Sequence, residues 1–211
     1  NSANLVLESE FRAELADCER WFSAMREKGV ANPPKSPTWD YFLYYRTPDR
    51  PRYPVVFTAS LQRQMQAFRP YTDGKFIEIQ PVSVKLPDGR TVTRLNTPGL
   101  IHLMVYWQSR LFWDPDEDRA AMLAEYYDLF FGPAAAAMRA FYESAEETWC
   151  RQESRSVTRT SGFLREADVE RFFALLAGAR AAGGVGTVYD RRIARIEEEL
   201  QPLKRQFAAF R

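Results

Sequence analysis

The chain has 211 residues, 45% of them hydrophobic and 14% aromatic, enough for one large domain or two small ones. Its 29 basic residues nearly balance 28 acidic ones, so it lacks the basic field that holds nucleic acid or an anionic membrane. Apolar runs such as Leu100 to Val105 fall far short of the roughly 20 residues that a membrane span needs.

Cys18 and Cys150 are too few for a disulfide scaffold and are expected to be buried free thiols. A His-based metal site or a serine triad would have to rest on His102 alone, so neither a metal nor a cofactor is expected.

Phe11, Leu15, Cys18, Phe22 and Met25 recur at spacings of three and four, which predicts a helix from Glu8 to Lys28. Gly29 and the prolines Pro33, Pro34 and Pro37 end it. Thr38 to Tyr45 is dense in β-favouring and aromatic residues and predicts a buried strand. A proline-rich loop from Pro48 to Pro54 and a helix from Thr58 to Arg69 follow. Lys75 to Gln80 predicts a second strand, parallel to the first and one βα repeat away. Val82 to Lys85 and Thr91 to Leu95 flank Pro87-Asp88-Gly89-Arg90 and predict a β-hairpin.

Pro98 opens a helix whose apolar face holds Leu100, Leu103, Met104, Trp107 and Leu111. Asp114-Pro115 is a helix-start signal for a segment running to Phe131, and beyond the break at Gly132-Pro133 an alanine-rich helix reaches about Trp149. Arg165 to Ala182 and Val188 to Arg211 predict two more helices, joined by a turn at Gly183-Gly184-Val185-Gly186. The leading part alternates helix and strand and the rest is helical, which places a domain boundary near Trp113. Trp21, Trp107 and Trp113 are expected in the core, His102 is expected to be structural, and Glu197-Glu198-Glu199 is expected on a solvated helix face.

Two acids stand in runs that otherwise read as core: Asp40 in the first strand and Glu78 in the second. By strand alternation both fall opposite the bulky apolar set. An isolated buried carboxylate costs several kcal/mol, so a partner or a function has to explain each. Glycoside hydrolysis uses such a pair, one acid protonating the leaving oxygen and the other serving as base or nucleophile. The alternative is that the two acids pair with Lys75, Arg46 or Arg69 and only fix the end of the sheet.

Trp39-Asp40-Tyr41, Gly74-Lys75-Phe76-Ile77-Glu78, Leu111-Phe112-Trp113-Asp114-Pro115-Asp116 and Phe130-Phe131-Gly132-Pro133-Ala134-Ala135 occur in that order. Over roughly Phe11 to Trp149 the chain resembles an uncharacterised bacterial domain family related to the α-glucuronidases. The resemblance implies an α/β fold. Residues 1–113 would be the C-terminal portion of a (β/α)8 TIM-type barrel with an inserted hairpin at 82–95, and residues 114–211 an all-α helical domain. The remaining barrel strands would come from a preceding region or a second chain, and self-association is left open.

The resemblance also implies a periplasmic or secreted glycosidase that cleaves oligosaccharide or polysaccharide, including acidic, uronic-acid-bearing fragments. Glu78 and Asp40 would then be the catalytic pair. Trp39, Tyr44, Tyr45, Arg46 and Tyr71 would bind substrate, with Arg46 and Arg69 facing a substrate carboxylate. A non-catalytic carbohydrate-binding relative and a helical interaction protein are the competing functions.

Overall fold

The computed structural model describes residues 5–40, 53–79, 81–152 and 164–208. Helix α1 (Glu8–Glu27) turns Phe11 and Phe22 inward. Strand β1 (Thr38–Asp40), helix α2 (Thr58–Phe68) and strand β2 (Lys75–Ile77) form a βαβ unit. Its strands pair in parallel, Thr38 opposite Lys75 and Asp40 opposite Ile77. Strands β3 (Pro81–Lys85) and β4 (Thr91–Leu95) pair antiparallel across the turn at Asp88-Gly89. Helices α3 (Pro98–Trp113), α4 (Arg119–Phe131), α5 (Ala135–Cys150), α6 (Glu166–Gly183) and α7 (Val188–Ala208) follow, with a 3-10 turn at Gly132–Ala134 between α4 and α5.

This architecture overturns the barrel. The described residues contain two separate two-stranded sheets, and the rest is mainly helical. A barrel needs each strand to return to one sheet through a helix. Here the chain past β2 pairs with itself as a hairpin from Pro81, and among the described residues no further strand joins β1–β2.

One hydrophobic cluster runs from Tyr53 to Leu203 and crosses Trp113 without a break. Leu123, Tyr127, Phe141, Phe172, Leu176, Ile193 and Ile196 are buried in it, and Phe130 and Phe173 pack partly against it. Trp107 lies at its centre, fully buried, and its indole N–H donates to the Thr58 carbonyl at 2.8 Å. Trp21 and Trp113 are not core residues, being 62% and 91% exposed. Phe22 takes the inward position beside Trp21, and Trp113 is the last residue of α3, past the inward-facing Leu111. Both cysteines are free, Cys18 half-buried and Cys150 at the surface, so the expectation of two buried thiols holds for neither in full.

The helix expected to start at Asp114 starts later. Asp114 instead folds a turn, its Oδ1 accepting from the Asp116 N–H at 2.9 Å. Asp118 is the true cap of α4 and accepts from the N–H groups of Ala120 and Ala121 at 2.9 and 3.2 Å. Between α4 and α5 the chain passes Gly132 at φ +51°, where an added Cβ would lie 2.5 Å from the Tyr189 ring. Only glycine fits that approach.

Two glutamates from the later helices hold the starts of earlier ones. Glu146 of α5 accepts from the Thr58 hydroxyl at 2.8 Å and the Ala59 N–H at 3.0 Å, at the N-terminus of α2. Glu199 of α7, its side chain 6% exposed, accepts from the Leu100 N–H at 3.1 Å at the N-terminus of α3. Carboxylates satisfy the orphan N–H groups there and complement the helix dipole. Glu199 therefore leaves the solvated face on which the sequence placed it, and Gly99 permits the contact, since a Cβ there would sit 3.1 Å from its Oε2.

Candidate functional site

The β1–β2 pair brings Trp39, Asp40, Phe76 and Glu78 together, and its register decides which of them act on the same side. In a parallel pair, opposite residues share a face and the faces alternate along each strand. Lys75, Asp40 and Ile77 lie on the inner face, where Ile77 packs against the core. Trp39 and Phe76 lie on the outer face as an edge-to-face pair, ring centroids 5.0 Å apart and planes at 73°. They are 62% and 56% exposed.

The ladder continues one step past β2, the Glu78 N–H donating to the Asp40 carbonyl at 2.9 Å. Alternation then carries Glu78 to the outer side with Trp39 and Phe76. The two acids share a backbone hydrogen bond but not a face.

Asp40 is accounted for by a buried ion pair. Lys75 Nζ sits 2.8 Å from its Oδ2, with the two side chains 9% and 4% exposed. The pair closes the inner side of the sheet. Removing one partner of such a pair leaves an uncompensated buried charge at about 3–5 kcal/mol. Glu78 is half-buried, and among the described residues its carboxylate has no ion-pair partner.

The remaining expected site residues fall elsewhere. Tyr71 follows α2 and packs edge-on against Phe22 of α1 at 5.0 Å, a contact that binds helix to loop. Arg69 Nη2 pairs with Asp116 at 2.6 Å, and its hydrogen bond, then its charge, hold the Asp116 carboxyl below the usual carboxylate range. Tyr44, Tyr45 and Arg46 lie outside the described residues.

His102 stacks on Phe130 at 4.1 Å, and its Nδ1 lies 3.2 Å from the Tyr126 hydroxyl. Burial, and then the charge of Arg192, lower its pKa. Among the described residues no group of three or more His, Cys, Asp or Glu side chains is placed to hold a metal ion, and no helix is long and apolar enough to cross a membrane.

Sequence reasoning missed the run Tyr53 to Phe57, which lies wholly buried, with Tyr53 stacked on Trp149 at 5.4 Å. Its signal was present as Val55-Val56-Phe57, an apolar triplet directly after the proline-rich stretch. Burial of this segment fixes the start of α2, and α2 in turn carries the chain to β2.

No family model, curated protein or solved structure matches the chain.

Proposed function

We propose that this chain binds carbohydrate as part of a glycoside hydrolase-like protein, through the outer face of β1–β2. The observation that carries the reading is the exposed Trp39–Phe76 pair with Glu78 on the same side. Exposed aromatic rings cost free energy in water unless something covers them, and the C–H faces of sugars stack well on such rings. A carboxylate beside the rings accepts hydrogen bonds from sugar hydroxyls and gives the surface direction.

The experiment is calorimetric titration of the chain with a panel of oligosaccharides. Trp39→Ala and Phe76→Ala are each expected to weaken binding about tenfold, the equivalent of about 1.4 kcal/mol. The melting temperature should stay unchanged because both rings are exposed. Sugar binding that survives both substitutions sinks the reading.

A second reading rests on Glu78 alone, which has no ion-pair partner among the described residues. It is the acid of a glycosidase whose second carboxylate is supplied from outside this chain, since Asp40 is committed to Lys75. Assayed in the complete protein, Glu78→Gln then lowers turnover about 10²–10⁴-fold without weakening substrate binding to match. Full activity in that variant leaves only the binding role.

A further inference from the structure

The buried ion pair beneath the sheet bears on the rings above it. We infer that Asp40 and Lys75 are positioning residues, whose bridge selects the β1–β2 register that sets Phe76 beside Trp39. The consequence for sugar binding rests on the carbohydrate reading above, whereas the register itself is measured without sugar.

Backbone bonds alone leave this register open. The strands are short, Thr38–Asp40 and Lys75–Ile77. At their ends the Thr38 N–H donates to the Gly74 carbonyl and the Glu78 N–H to the Asp40 carbonyl, both at 2.9 Å. A parallel ladder repeats every two residues, so a shift of two re-forms equivalent bonds and keeps each side chain on its face. The loop ahead of β2 has room for that shift, since among the described residues a Cβ built on Gly74 meets nothing within 4 Å. A shift of one is excluded by sidedness, because it turns Lys75 and Ile77 outward and Phe76 and Glu78 onto the core.

Apolar burial rejects one of the two double shifts and not the other. Sliding β2 until Lys75 faces Asp40 carries Ile77 off the end of β1 and brings the exposed Asp73 onto the inner face, opposite Thr38. Sliding it the other way sets Ile79 opposite Asp40 and Ile77 opposite Thr38. Both isoleucines already pack against the core, so this slide exchanges one for the other. What it breaks is the bridge. Lys75 moves about 6.6 Å along the strand, at about 3.3 Å per residue, and the buried Asp40 carboxylate loses its 2.8 Å partner. The same slide puts Glu78 in place of Phe76 opposite Trp39, which ends the ring pair. The bridge therefore separates two registers that the apolar pattern leaves equivalent. Buried ion pairs are often no more stabilising than apolar pairs of similar size, and fixing one pairing among alternatives is their best-attested use.

The test reads the register from cross-strand nuclear Overhauser effects in the full chain. Asp40→Leu combined with Lys75→Met replaces the pair by apolar side chains. Its melting temperature and helical circular dichroism are expected to match the wild type. The Trp39–Phe76 ring contact is expected to weaken at least twofold, with Ile79 appearing opposite position 40. Adding Ile79→Gln puts a polar side chain where the shifted register needs an apolar one. That triple variant is expected to regain Ile77 opposite position 40 and the full ring contact.

The observed register kept whole in the double variant overturns the inference. Failure of that variant to fold overturns it too, because the pair is then needed for stability and not for choice of register. A triple variant that folds without regaining the Ile77 register does the same, since the double variant has then loosened the sheet and not moved it. Calorimetric titration with maltohexaose separates this outcome from the fate of the carbohydrate reading. Binding is expected to weaken at least twofold in the double variant and to recover in the triple. A shifted double variant that binds as tightly as the wild type removes the ring pair from the sugar site and leaves the register role standing. A wild type that binds no sugar counts against the carbohydrate reading alone.

Discussion

The βαβ unit and the helical body, from α3 to α7, settle their apolar surface in opposite ways. The body buries Trp107, Phe131, Phe141, Tyr142, Phe172 and Leu176 against one another, helix face to helix face. The two-stranded sheet has one inner face on the core and leaves two large rings in water on the other. Parallel strands are usually covered on both faces, whereas here the rings on the outer face are more than half exposed. The body buries its large rings, and the unit carries the exposed pair on which the proposed carbohydrate binding rests.

This contrast is sharpest between two tryptophans. Trp107→Ala removes a fully buried indole and its bond to the Thr58 carbonyl, and is expected to destabilise the chain by about 3–5 kcal/mol in urea unfolding. Trp39→Ala, at an exposed position, is expected to change stability by less than about 0.5 kcal/mol. Comparable losses at the two sites would mean that the outer face is packed and not open.

The junction between the regions comes next in size. Glu146 of α5 caps α2, and thus reaches from the body to the helix that joins the two parallel strands. Glu146→Ala strands the Ala59 N–H and the Thr58 hydroxyl, and should cost about 1–2 kcal/mol. If the unit moves as one piece on this clip, hydrogen exchange in α2 and β2 rises more than in α6. Equal protection of α2 and α6 in the variant would mean that the clip does not couple the regions.

The two regions were also unequally legible in the sequence. The 3.6-residue spacing of the apolar positions in α3 to α7 repeats over many turns, and capping and breaking residues punctuate it. Each helix was therefore visible within a few residues of its ends, apart from the start of α4, where Asp114 and Asp118 compete for the cap. In the β region the parallel pairing of β1 with β2 followed from spacing, but closure of a barrel did not, because strand–helix alternation fixes neighbours and not strand number.

The site was half legible for a related reason. The alternation of Asp40 and Glu78 within each strand was visible, whereas their relation across strands depends on register. The observed register sets Asp40 opposite Ile77 and so parts it from Glu78. Lys75 was one of three cations the sequence offered to the two acids, and it supplies the counter-charge to Asp40. The choice among the three depends on the register, which sets Lys75 opposite Thr38 and Asp40 opposite Ile77.

The smallest expected effect is a pH dependence placed in the body. His102 of α3 packs against Tyr126 and Phe130 of α4 and feels the charge of Arg192 of α7, whose guanidinium lies 4.2 Å from the Phe130 ring centroid. Burial first, and Arg192 second, hold its pKa below the ordinary value of 6.5. As pH falls through that value the unfolded chain takes up a proton and the folded chain does not. The contribution is therefore present above the unfolded pKa and is lost progressively below it.

His102→Gln removes the titrating group while keeping a polar side chain. The stability difference between wild type and variant, measured in urea at about pH 7.5 and about pH 5.5, should shift against the wild type at the lower pH. Carboxylates that titrate in the same range are common to both proteins and cancel in the difference. A difference that stays constant across that interval would mean that the imidazole is not held neutral between α3, α4 and α7.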